Sequence, residues 1–253
     1  MLHIIGLRIL IAALMPLFGS RHPRVVERLC ALGKAAKAAG KANLAERTFR
    51  QALEIEDERR PVRPAVLASI LAQTGIFYLT PKRAGEAKAM FERALTLSEE
   101  GADRTDLVPS LLDGLAQACR LLNEDAQAEP LRRHALALCE AALGPDHQEV
   151  LNSVTRLAQL VSDLGRYEEA ESLFARVVET QERLHGPENL ELAAALDNLA
   201  ILLDQKGEFA KSEVLYRRVA AIERAIMNRP GLAHVQIDGH RPAGPVESSH
   251  AQE

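Results

Sequence analysis

The chain has 253 residues with 35 acidic against 31 basic side chains, a net charge of -4, and 47% hydrophobic residues of which aromatics make only 4% of the chain. That charge gives no general attraction to phosphate backbones, so nucleic acid is not favoured as a partner. With no Trp, Ala and Leu must fill the interior, as expected where small residues let helices approach closely. The cysteines Cys30, Cys119 and Cys139 are odd in number and fall in apolar helical patterns, which argues for small buried hydrophobes over a disulfide framework.

Residues 1–20, MLHIIGLRILIAALMPLFGS, form a hydrophobic segment without an acidic residue. One arginine, Arg8, precedes an apolar run broken by Pro16 and followed by Gly19 and Ser20, an order that suits export or anchoring at a membrane. The run is short for a bilayer span. A helix that covers the open end of the array is the other reading, and a cytoplasmic location goes with it.

From Val25 the apolar residues recur with helical period. Leu29, Gly33 and Ala36 share one face, Gly40 stops that helix, and Ala45, Phe49 and Ala52 repeat the spacing on a second. The next pair carries Leu71, Gly75 and Tyr78, then Ala87, Phe91 and Ala94, so the step from Ala45 to Ala87 is 42. Between its helices, Thr80 and Pro81 suggest a capping hydroxyl before a proline at the first helical position.

This unit, Leu-x3-Gly-x2-Tyr followed by Ala-x3-Phe-x2-Ala, resembles the tetratricopeptide repeat. A third pair has Leu115 and Ala116, then Ala128, Leu131 and Ala135. Asn123 stands where later copies have Gly165 and Gly207 and suits the same left-handed turn, while Pro130 predicts a second helix that starts late or bends.

The fourth and fifth pairs are nearly the same text, with Leu157, Ala158, Gly165, Tyr167 and Phe174 matching Leu199, Ala200, Gly207, Phe209 and Tyr216 at an offset of 42. Gly-Pro steps at Gly144 and Gly186 close the long second helices. The LxxLA, GRYEEAE and LGPDH motifs at this step are similar to the repeats of kinesin light chain and related bacterial proteins. Ser212 replaces the alanine of the other four units, which predicts looser packing in the last one. Residues 229–253 lose the period and are expected to be a disordered tail; its His234, His240 and His250 have no known ligand spacing.

The expected fold is therefore an all-α, right-handed solenoid of about five helix pairs, with units near residues 25–61, 62–103, 104–145, 146–187 and 188–228. No phosphate loop, HExxH, CxxC or GxSxG motif occurs, so no catalytic residue, cofactor or metal site is predicted and the chain is expected not to be an enzyme. The acidic pairs Glu99 with Glu100 and Glu168 with Glu169 are read as solvated or as complementing helix ends.

The resemblance implies that the first helix of each pair lines a concave wall that binds a protein or peptide. That wall would present Glu27, Lys34 and Lys37, then Ser69 and Gln73, then Asp113, Gln117 and Arg120. It would continue with Asn152, Thr155, Arg156 and Gln159, and end with Asp197, Asn198 and Asp204. Its sign runs from basic to acidic, which would orient an extended peptide.

The asparagine that the light-chain repeat carries before its LA step is kept at Asn198 but replaced by Gly114 and Arg156. The chaperone-binding carboxylate clamp is not matched, since Cys30 and Ser69 stand at its positions. The function expected is a non-enzymatic interaction scaffold, with a membrane-held or exported assembly accessory as the alternative. An apolar face around Val214 and Val219 in the last unit also suggests pairing of two chains or cover by the tail.

Overall fold

The computed structural model describes residues 2–19, 22–59, 61, 63–100 and 107–228, so the predicted tail lies outside the described residues. The chain divides into two compact bodies, Met1–Val177 and Val178–Glu253. Every regular element among the described residues is a helix.

The first body begins with α1 (Leu2–Phe18), followed by α2 (Pro23–Ala38), α3 (Ala42–Asp57), α4 (Pro64–Tyr78) and α5 (Ala84–Glu100). It continues with α6 (Val108–Leu121), α7 (Asp125–Leu143) and α8 (Gln148–Asp163), and α9 (Tyr167–His185) runs across the division. The second body holds α10 (Leu190–Gln205) and α11 (Phe209–Met227).

From α1 to α8 each helix packs on the next in sequence, and α4 also touches α2 and α6, the first helices of the flanking pairs. The order follows from burial. Most of these helices carry one apolar stripe, which each hides against its partner while the pair hides the remainder against the next pair; α4, apolar round most of its surface, is flanked by α2, α3, α5 and α6. Leu67, Leu71, Phe91, Leu111 and Leu115 thus share one core made from α4, α5 and α6.

The hydrophobic segment at the N-terminus forms the helix α1. Ile4, Leu7 and Ile11 of α1 are buried against Val25, Val26 and Leu29 of α2, so α1 covers the outer face of the first pair. Ile5 and Ile9 remain 48% and 64% exposed on its other side.

The turns inside the pairs use left-handed residues where the spacing demands them. Gly165 and Gly207 have φ of 77° and 78°, and Asn123 takes the same region at φ 60°, because its short polar side chain tolerates it. Two expectations are corrected. Pro130 does not delay α7, which starts at Asp125, 42 residues before the start of α9. Its missing N–H would have bonded the carbonyl of the exposed Ala126, where water can serve instead. Pro81 is not the first residue of α5 either: Thr80 to Arg83 close a separate turn, with the Arg83 N–H donating to the Thr80 carbonyl at 3.0 Å, and the helix starts at Ala84.

Ion pairs join successive second helices at a regular sequence distance. Lys88 meets Glu124 at 2.5 Å, Arg133 meets Glu169 at 2.6 Å, Arg176 meets Glu140 at 2.7 Å, and Arg218 meets Glu182 at 2.5 Å. Glu169 is shared with Arg166, and hydrogen bonds from Arg133 hold its carboxyl below the usual range. So Glu169 works within a charge network, while Glu168 is exposed. Half-exposed pairs of this kind are worth at most about 1 kcal/mol each.

A stronger tie joins α3 to α4. The buried Glu56 carboxylate accepts both arms of a fork from Arg63, at 2.7 Å and 2.5 Å, with Arg59 at 3.2 Å.

In the second body Ser212 is buried and its hydroxyl donates to the Asp204 carboxylate, which also accepts from the Tyr216 hydroxyl at 2.9 Å. The serine is therefore a specific bond between α10 and α11. The pair is still lightly packed, since α11 buries only Ser212 and Ile222. Val219 belongs to the cluster with Leu192, Leu196 and Ile222, which corrects the expected apolar face: only Val214 of the two valines is exposed.

Candidate functional site

Four helices of the first body enclose an open cavity of about 570 Å³. α6 contributes Asp113, Gly114, Gln117 and Arg120; α8 contributes Ser153, Arg156 and Gln159; and α7 supplies Arg132 and Cys139 from behind. The end of α4 closes it with Ile76 and Leu79, and Glu149 stands at the start of α8.

Its spacing is helical. Asp113, Gln117 and Arg120 lie at i, i+4 and i+7 on α6, and Ser153, Arg156 and Gln159 follow a similar step on α8. One stripe of each first helix thus faces the cavity while the opposite stripe is core.

The cavity is charged, and its charges are only partly matched. Asp113 lies between two guanidinium groups, with Oδ2 3.4 Å from Arg156 Nε and Oδ1 4.0 Å from Arg132 Nε. Arg120 pairs with Asp163 at the end of α8.

Arg132 is 4% exposed. Its Nη2 donates to Gln117 Oε1 at 2.9 Å and its Nη1 to the carbonyl of Arg156, while its Nε has no hydrogen-bond partner. Burial lowers the Arg132 pKa, and Asp113 opposes that shift while Arg120 and Arg156 add to it. An arginine starts so high that it stays charged.

The twelve residues expected to form the binding face fall into three sets. Asp113, Gln117, Arg120, Arg156 and Gln159 are brought together around the cavity. Lys34, Lys37, Gln73 and Asn152 sit on first helices of the same body outside it. Lys37 Nζ donates to the Ile76 carbonyl at 3.2 Å, Gln73 Nε2 to Ser69 Oγ at 3.2 Å, and Asn152 Oδ1 accepts from Gln148 at 3.1 Å. Asp197, Asn198 and Asp204 are on α10 in the second body, where Asn198 Nδ2 donates to the Ala194 carbonyl at 2.9 Å and Asp204 holds α11.

The packing of α5 on α6 explains why the asparagine of the light-chain repeat is missing from α6. A Cβ on Gly114 would lie 2.5 Å from the Phe91 ring, so only glycine fits there. At the matching place on α8, Arg156 faces Arg132, not a ring, and a long side chain is accommodated.

Arg132 was not among the expected residues, although a signal for it is present. It stands four residues after Ala128, where the other pairs have Phe49, Phe91, Phe174 and Tyr216 four residues after Ala45, Ala87, Ala170 and Ser212. It is an arginine in a slot that otherwise holds an aromatic ring. A scan for apolar period passes over it because the flanking Leu131, Ala135 and Leu136 keep the pattern intact.

Tetratricopeptide repeat models match residues 107–182, 151–225 and 26–59. The chain is a tetratricopeptide repeat protein. Its fold is an all-α solenoid similar to BtubC (BKLC) from P. vanneervenii, at 22% identity and a TM-score of 0.76 over 97% of each chain. It is also similar to a putative kinesin light chain of nearly identical TPR-like repeats from Podosopora anserina, at 20% identity and a TM-score of 0.72 over 82% of this chain and 99% of that one. The more distant MamA aligns at 13% identity with a TM-score of 0.55 over 87% of this chain. A search of curated proteins gave no match. Tetratricopeptide arrays serve as protein interaction scaffolds, and the repeats here are of the kinesin-light-chain-like kind.

Proposed function

We propose that this tetratricopeptide protein is a non-enzymatic scaffold that holds a segment of a partner protein against the wall formed by α6 and α8. The observation that carries the reading is the open 570 Å³ cavity, whose walls present amide and charged groups at helical spacing from adjacent first helices. An open groove between helices can take an extended chain, and its donors and acceptors can satisfy a peptide backbone as well as its side chains. The test is photocrosslinking in the native cell extract from a benzoylphenylalanine placed at Gln159, beside the same group at the exposed Ala137 of α7. Adducts from position 159 with one discrete protein, absent from position 137, support the groove. Adducts only from position 137 would refute it.

α1 supports a second reading, in which the protein rests on a membrane surface. Its face away from α2 exposes Ile5, Ile9 and Leu10, and no helix among the described residues is long and apolar enough to cross a membrane. Attachment would therefore be interfacial, through one turn-spaced apolar stripe. Sedimentation with phospholipid vesicles, lost on changing Ile5 and Ile9 to Ser, tests it; binding that survives the change would sink it.

A further inference from the structure

We infer that Arg132 makes the cavity an acidic-residue site, in which a side-chain carboxylate of the partner segment sits among Arg132, Arg156 and Arg120. The inference rests on the groove reading above and adds the chemistry of what the groove selects.

The first observation is register. In the other four pairs this slot is aromatic, and Phe91 shows what it ordinarily does: its ring lies against Gly75 of its own pair and reaches Gly114 of the next. Arg132 follows the same path with a charged end. Its guanidinium passes between the helices to the carbonyl of Arg156, which is 42 residues after Gly114, and so reaches the cavity from behind.

The second observation is incomplete neutralisation. A guanidinium only 4% exposed has left most of its hydration, and a buried cation is normally matched by a carboxylate in direct contact. Here both bonded acceptors, Gln117 Oε1 and the Arg156 carbonyl, are neutral, and Nε has none. The nearest carboxylate, Asp113, is 4.0 Å away and is divided with Arg156. Arg120 already spends its partner, Asp163. Glu149 stands at the other end of the cavity, two helical turns from Arg156 and about 10 Å along the axis. Around the centre of the cavity, three guanidinium groups therefore face Asp113 inside it and Asp163 beside it, three positive charges against two negative.

An incoming carboxylate supplies the missing charge in a place where water is limited. Arginine in such a place presents a planar fork that matches a carboxylate better than lysine does. The burial of an aromatic has been given up at one repeat in five, and the return for it is recognition.

The test uses the full chain and fluorescence anisotropy with a short amidated peptide of alternating Glu and Ala, beside its Gln and Ala counterpart. The wild type should prefer the Glu peptide by about tenfold to a hundredfold, the range expected for a charge-assisted bond. Arg132→Phe, which restores the ring of the other repeats, should remove that preference while keeping the far-UV circular dichroism. Should that variant not fold, Arg156→Gln at the more exposed partner must weaken the preference by a smaller factor.

Equal binding of both peptides by the wild type, binding of neither, or an intact preference in folded Arg132→Phe would each overturn the proposal. So would tight binding of the Gln peptide when its C-terminal carboxylate is left free, because that would assign the site to chain ends. If the Gln159 crosslinks form while the Glu preference is absent, the groove stands and the acidic site alone falls.

Discussion

Gly114→Ala measures how closely α5 approaches α6. The new Cβ would lie 2.5 Å from Cε1 and Cζ of Phe91 and 3.0 Å from Cε2. The ring has no free space to retreat into, because it is fully buried and the same edge also lies against Gly75, where an added Cβ would be 2.9 Å from Cζ. Overpacking of this kind costs about 1–3 kcal/mol, against which alanine returns up to about 1 kcal/mol of helix propensity over glycine. A 2.5 Å approach puts the overpacking in the upper part of that range, about 2–3 kcal/mol, so the net loss expected is about 1–2 kcal/mol, a fall in melting temperature of about 2–8 °C for a chain of this size.

Gly85→Ala is the matched control. That residue is also in a helix, with no atom within 4 Å of its built Cβ and no positive φ, so it should gain up to about 0.5 kcal/mol and melt slightly higher. Thermal unfolding followed by circular dichroism compares the two in one buffer. Adding Phe91→Leu to Gly114→Ala should cost less than the two changes separately, since the smaller side chain vacates the contact. If Gly114→Ala melts at or above the wild type, the packing of α5 on α6 described here is wrong.

Three further outcomes are expected. Ala170, fully buried in α9, should not accept leucine: Ala170→Leu is expected to lose about 1–3 kcal/mol, and a melting shift of less than about 2 °C would contradict a close helix contact there. For Glu56, burial alone would raise the carboxyl pKa, but hydrogen bonds and charge from Arg63, then Arg59, outweigh it and leave it lowered. Its stabilisation is therefore full above the unfolded value of about 4.3 and is lost as pH falls through the lower folded value. Glu56→Gln should cost about 1.5–3 kcal/mol near neutrality and flatten the acid side of the stability profile; an unchanged acid slope would remove Glu56 as its source. Burial pushes the Cys30 thiol up to about 11 and also raises that of Cys119, so both should react with Ellman's reagent at mildly alkaline pH only after denaturant is added. Rapid native labelling of either would show that the surrounding helices open.

The sequence by itself determined the repeat, its 42-residue step and the helix pairs, because periodic burial is a local code: each residue's side of a helix follows from its position. The same logic read Asn123 as the stand-in for a turn glycine, and together with the resemblance to tetratricopeptide arrays it put Asp113, Gln117, Arg120, Arg156 and Gln159 on the outward stripe of first helices. Tertiary structure alone decided what those residues do. Asp204 looked like a wall residue but is bound by Ser212 and Tyr216, and Gly114 looked like a lost asparagine but is dictated by a ring on the neighbouring helix. Arg132 shows the limit most clearly: its register was legible, yet its partners lie 15 and 24 residues away on two other helices. Contact across helices depends on how far each side chain reaches through the stack, and no periodicity along a single chain encodes that distance.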